Sequence, residues 1–172
     1  MNLRHKSVLT VAITLFSVSS LFAKVASTSL ENLADRSELI VVAKVEKVSK
    51  PLIGKRYAKA TVTEVWKGDQ AKSVEFLASP TWTCDISDAK KGETVVLFMI
   101  RSKESRSYQI AHSGRGRLVQ RTINGKTCAD IWGAVRFPKE TPVVSGSDKD
   151  WIRAIEISTL RELVKRPKPN KK

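Results

Sequence analysis

The sequence predicts a mainly β domain with short flanking helices, and three features of the chain predict it. Residues Glu38–Gly68 carry two long runs of alternating apolar residues joined by a Pro/Gly turn. Shorter apolar runs follow, separated by clusters of Gly, Ser, Asn and Asp that mark turns. Helical signals are confined to one stretch before the long hairpin and one near the C-terminus.

In chain order, the first segment reads as an export leader. Arg4, His5 and Lys6 form a positive n-region, and Val8–Ala23 is apolar but shorter than the ~20 residues that a membrane span needs. Leu21-Phe22-Ala23 is a small-residue exit. Residues 1–23 are therefore expected to be a signal peptide, with an uncleaved anchor as the alternative. Residues 24–165 form the domain, and residues 166–172 (RPKPNKK) a solvated basic tail. Lys24 stands where a lipoprotein would carry Cys.

Next, Thr28 and Glu31 fit a capping box, with Leu30, Leu33 and Ala34 on one face of a two-turn helix ending near Ser37. In the first strand, Leu39, Val41, Ala43 and Val45 alternate with Lys44 and Glu46, less cleanly with Ile40 and Val42. Pro51 and Gly54 break the run. Tyr57–Trp66 resumes it, with Ala58, Ala60 and Val62 on one face and a phase slip near Glu64–Val65 that predicts a bulge. Further strands are expected at Ser73–Ala78, Thr94–Arg101 (buried on both faces), Ser107–His112 and Arg117–Ile123, with a polar loop over 79–93. Asn124-Gly125 is a hairpin signal, and Trp132–Phe137 a last short strand. Near the end, Trp151–Ile157 reads as extended and Ser158 as the cap of a short helix carrying Leu160, Leu163 and Val164, with one helix over the whole of Asp150–Lys165 as the alternative.

The net charge is +14, and removal of Arg4 and Lys6 with the leader, which holds no acid, leaves +12. Such a charge draws a protein to anions and says nothing of its fold. Outside the cytosol the candidates are anionic envelope surfaces, polysaccharides and acidic proteins; nucleic acid is not expected. The two cysteines, Cys84 and Cys128, are expected to form one disulfide in an oxidising compartment. By the chain-entropy model it would contribute about 4 kcal/mol.

Candidate chemical sites are sparse. His112 and Ser113 are neighbours, but adjacency in sequence is not a triad, and G-x-S-x-G is absent. His112 shares parity with Tyr108 and Ile110, so it reads as a histidine of the barrel rim or core. Asp85, Asp88 and Glu93, or Asp148 and Asp150, lack the ligand spacing of a calcium loop and read as turn acids. No metal or other cofactor is expected. The most suggestive stretch is Ser113-Gly114-Arg115-Gly116-Arg117. There, successive N–H groups can converge on an anion while Arg115 and Arg117 supply charge, or the segment is an ordinary hairpin turn. Arg101, Lys103, Arg106, Arg121 and Lys126 lie near enough in sequence to widen a basic face. Of the four tryptophans, Trp66 and Trp132 read as core, and Trp82, two residues before Cys84, is the aromatic expected to touch a partner.

Ala34-Asp35, the strand Leu39–Val45, the ending Val65-Trp66-Lys67-Gly68, a Cys, and Lys91-Gly92-Glu93 before an apolar strand occur in an order that resembles the netrin-like and tissue-inhibitor-of-metalloproteinase-like domains, especially their exported bacterial relatives. The likeness covers roughly residues 30–112. It implies a five- to six-stranded OB-like Greek-key barrel with a helix beside it. It does not carry over the inhibitors' zinc-chelating mode, which needs Cys at the mature N-terminus, where this chain has Lys24-Val25-Ala26-Ser27.

The expected function is therefore an exported, non-enzymatic module that binds a protein or polyanion through a basic face around Arg115, Arg117 and Trp82. A secreted protease inhibitor of another mode is the alternative.

Overall fold

The computed structural model describes residues 26–49, 51–102, 107–144 and 152–166. The expected leader, Lys103, Arg106, Asp148, Asp150, Trp151 and the tail beyond Arg166 lie outside the described residues. The elements are β1 (Thr28–Ser29), α1 (Leu30–Arg36), β2 (Leu39–Val48), β3 (Tyr57–Lys67), β4 (Ser73–Leu77), β5 (Thr94–Arg101), β6 (Tyr108–Ile110), β7 (Arg117–Ile123), β8 (Lys126–Trp132), β9 (Val135–Arg136), β10 (Ile152–Glu156) and α2 (Ile157–Lys165).

Strands β2, β3, β4, β6 and β5 pair in that order and close because β5 pairs with both β2 and β6, giving the closed five-stranded, OB-like barrel. All its pairings are antiparallel except β4 with β6. From β5 the sheet also runs outward through β7 and β8 to β10.

The imperfect alternation in β2 has a physical cause. Leu39, Val41, Ala43 and Val45 fill the barrel with Val95, Leu97 and Met99 of β5. Ile40 and Val42 point to a second core on the outside, shared with Val96, Phe98, Leu30, Leu33 and Leu160. Both helices therefore cover an outer face that would otherwise be wet, so a strand in a small barrel reads as nearly continuous apolar sequence. Two of the three register shifts fall on either side of Glu64–Val65: Val41 and Val42 pair with Val65 and Glu64, while Trp66 and Thr63 are left over; the third leaves Glu46 over, between Val45 and Lys47. The first two turn Trp66 into the outer core.

Local chemistry sets the ends of α1. Thr28 is not the cap, because its backbone is committed to β1, where its N–H donates to the Ala134 carbonyl at 2.8 Å. Ser29 takes the role one residue later, its hydroxyl accepting from the Asn32 N–H at 3.1 Å. At the other end, Lys67 Nζ donates to the Ala34 and Asp35 carbonyls, placing a cation on the helix C-terminus. Residues 152–156 are extended and α2 follows, as expected, but Ser158 lies inside the helix and donates to Glu156 rather than capping it.

One strand was not expected. Asn124 and Gly125 both have positive φ (50° and 77°), making the two-residue turn their sequence predicts. The strand after it, β8, begins at once at Lys126 and ends at Trp132 without having been expected, while the short strand expected over Trp132–Phe137 is β9, at Val135–Arg136.

Candidate functional site

The glycine turn singled out in the sequence is an excursion from one barrel edge. β6 and β7 pair along the same side of β5, and the chain between them leaves and returns at one point. Ala111 N–H donates to the Phe98 carbonyl and Phe98 N–H to the Gly116 carbonyl, both at 2.8 Å, while Gly116 N–H donates back to Ala111 at 3.0 Å. His112, Ser113, Gly114 and Arg115 are ejected from the ladder. Three of them have left-handed backbones, with φ of 53°, 51° and 81°.

Such a conformation costs roughly 1–2 kcal/mol for each non-glycine residue, so contacts elsewhere must hold it. The 79–93 loop supplies them. Ile86 N–H donates to the Ser113 carbonyl at 3.1 Å, and Trp82 Nε1 donates to Ser113 Oγ at 3.2 Å. The loop is itself organised by Asp85, whose buried carboxylate accepts from the N–H and hydroxyl of both Thr81 and Ser87. Burial pushes the Asp85 pKa up, but those four donors together outweigh it and hold the group below its ordinary value.

This geometry uses up the groups from which an anion site was expected. The N–H groups of Arg115, Gly116 and Arg117 donate to His112, Ala111 and Gly114 carbonyls. Arg115 Nη1 donates to the Cys84 and Ser113 carbonyls at 3.0 and 3.2 Å. Arg117 Nη1 holds both Glu93 oxygens at 3.0 and 2.9 Å. Its neighbours are committed too: Arg101 to Glu38 and the Tyr108 ring, Arg121 to Asp130, Lys126 to Glu156. Among the described residues of the expected basic face, Arg101, Arg117, Arg121 and Lys126 are each paired with an acid, and Arg115 is held by carbonyls. Trp82 stays 41% exposed while its N–H is bound to Ser113.

The expected disulfide is not formed. Cys128 is enclosed on β8 with Ile123 and Ala154, beside Arg121 on β7 and Glu156 on β10. Cys84 sits in the loop against the excursion, where its carbonyl holds Arg115. The fold gives the two residues separate neighbours, and burial raises the Cys128 thiol pKa.

Between α1, the 79–93 loop and β6 lies a cleft of about 580 Å³, lined among others by Leu33, Arg36, Asp85, Gln109, His112 and Ser113. His112 is held neutral. Burial lowers its pKa, and the Arg115 and Arg36 charges add to this, against a hydrogen bond with the Ala26 backbone. Its Nε2 is buried without a partner. Ser113 Oγ accepts from Trp82 Nε1, and His112 Nε2 makes no hydrogen bond to it. Among the described residues no cluster of three His, Cys, Asp or Glu is placed to hold a metal.

A group whose folded pKa is depressed binds its proton more readily when unfolded, so its contribution is complete above the ordinary value of 6.5 and is lost as pH falls below it. The unfolding free energy should decline on acidification from pH 6.5 downward. His112→Asn, which tolerates a left-handed backbone, should flatten that part of the urea-unfolding pH profile. An unchanged slope in the variant would assign the decline to other groups.

Sequence reasoning missed a different surface. On the outer side of the β2–β3 hairpin, Lys44, Lys47 and Lys59 are exposed and form no ion pair or hydrogen bond among the described residues. Lys47 stands directly opposite Lys59 in the ladder. Past that pair, beyond Ser49, the turn carries Leu52 and Ile53, 104% and 93% exposed. A Cβ built on the next residue, Gly54, would meet nothing within 4 Å, so the tip projects into solvent. The sequence signal was present: Leu-Ile in a Pro/Gly turn, followed at once by Lys55 and Arg56.

No protein-family model matches the chain, and no curated protein matches its sequence. No helix among the described residues is long and apolar enough to cross a membrane.

Proposed function

We propose that this protein is an exported, non-enzymatic binding module whose OB-like barrel takes an anionic partner on the lysine-bearing side of its β2–β3 hairpin. The observation that carries this reading is the Lys47–Lys59 pair. Like charges directly opposite each other in an antiparallel ladder are unfavourable. Here they stand solvated while nearby arginines are matched with acids. Glu75 stands opposite Lys59 on its other side and Glu46 is the residue left over beside Lys47, yet neither forms an ion pair with either lysine among the described residues. An anion lying across the two lysines removes their repulsion, which a solvated surface leaves in place. The motif order that resembles exported netrin-like domains supports a binding role rather than a catalytic one.

Chromatography on immobilised heparin, a generic polyanion, tests the reading. Lys47→Thr/Lys59→Thr should weaken binding roughly three- to tenfold at low salt, by the scale of exposed charge pairs. Lys72→Thr/Lys139→Thr removes the same charge from exposed positions away from this face and should change binding less. Equal shifts in both variants would mean that net charge alone is sensed, and would overturn the assignment of this face.

A further inference from the structure

We propose that the tip of the β2–β3 hairpin is a membrane anchor, with Leu52 and Ile53 entering the interface of an anionic phospholipid bilayer while Lys47 and Lys59 meet its phosphates. The inference rests on the reading above and names the partner. Two features favour a bilayer over a protein. Lysine is depleted from protein–protein interfaces. Two aliphatic side chains at a loop tip also fall far short of the ~800 Å² per partner that a stable interface buries. A lipid surface asks for less: a few apolar groups set into the headgroup boundary, and cations above them.

The spacing suits that arrangement. Lys47 and Lys59 lie one ladder position before the hairpin's last pair, Val48 with Ala58. The turn begins just beyond Ser49, and its exposed Leu52 and Ile53 lie on the far side of that last pair from Lys47 and Lys59. Interfacial apolar groups sit about 5–10 Å deep, and lysines at the base of a short turn have side chains long enough to reach the phosphates above such a tip. The base of the turn is fixed for such a load. Ser49 N–H donates to the Tyr57 carbonyl, Tyr57 N–H to Ser49 Oγ, both at 2.8 Å, and Arg56 is paired with Asp88 of the 79–93 loop. The tip is held by contacts that leave Leu52 and Ile53 outside.

The test is hydrogen–deuterium exchange on the full chain with phosphatidylglycerol-containing vesicles and with pure phosphatidylcholine vesicles. Exchange is read on the peptide spanning 49–57, so attachment through the N-terminal segment does not register. Insertion predicts slowed exchange in this peptide with the anionic vesicles and none with the neutral ones. The slowing should disappear in Leu52→Asp/Ile53→Asp and weaken in Lys47→Thr/Lys59→Thr. Circular dichroism checks the fold of the Asp variant, whose two side chains touch no core. Vesicle binding without protection of this peptide overturns the anchor. Heparin binding that depends on Lys47 and Lys59, with no protection on vesicles, keeps the proposed function and refutes the anchor. Loss of both refutes both.

Discussion

Gly114→Ala should destabilise the protein by roughly 3 kcal/mol, the sum of a backbone cost of about 1–2 and an overpacking cost of about 1–3. The backbone cost arises because Gly114 has φ +81°, which an L-residue adopts only under strain. The packing cost arises because a Cβ there would stand 2.8 Å from the Ile86 carbonyl oxygen and closer still to the Ile86 carbonyl carbon and the Ser87 amide nitrogen. Those are main-chain atoms, so no rotamer change relieves the overlap. Either the 79–93 loop withdraws, breaking the Ile86–Ser113 and Trp82–Ser113 bonds, or the excursion does. At about 2–4 °C per kcal/mol for a chain of this size, the melting temperature should fall by roughly 6–12 °C. Gly125→Ala is the internal control. Its φ is also positive, at +77°, but a Cβ there meets nothing within 4 Å. It should lose only the backbone part. If urea unfolding gives equal losses for the two variants, the loop and the excursion are not in rigid contact.

The main strands were legible in the sequence because period and punctuation are local signals, whereas their closure into a barrel was only what the resemblance implied. Leu39–Val45, Tyr57–Trp66 and Thr94–Arg101 announce themselves by alternation or by continuous burial, and Asn124-Gly125 by turn chemistry. Even the slip near Glu64–Val65 marked real bulges. What could not be read was which charges meet. Glu93 lies 24 residues from Arg117, and the carbonyl of Cys84 lies 31 from Arg115. Nothing local distinguishes an arginine spent on such a partner from one offered to a ligand. The cysteines failed for the same reason, since an even count says that two thiols exist and not that the fold brings them together. The lysines of the hairpin were passed over because alternating Lys on an outward face is what any solvated strand shows. Only the ladder register reveals that Lys47 faces Lys59.

Arg117 is where the two views separate most sharply, and Arg117→Ala should cost about 3–5 kcal/mol, the usual loss when one partner of a buried pair is removed. Its side chain is 13% exposed and that of Glu93 11%, so neither charge has much water to fall back on. Glu93 Oε1 also accepts the Lys90 N–H at 3.0 Å, which fixes the carboxylate where the guanidinium reaches it. Removing the arginine leaves an anion in that position; Glu93→Ala leaves the cation. Replacing both, as Arg117→Met with Glu93→Leu, removes the uncompensated charge together with the pair and should recover most of the loss, because buried ion pairs are often matched by apolar groups of similar volume. A double-mutant cycle in urea should therefore return a coupling of about 2 kcal/mol or more. Single losses below about 1 kcal/mol with no coupling would match a surface pair instead. Arg117 would then be solvated and open to a partner, as its glycine-flanked position in the sequence suggests.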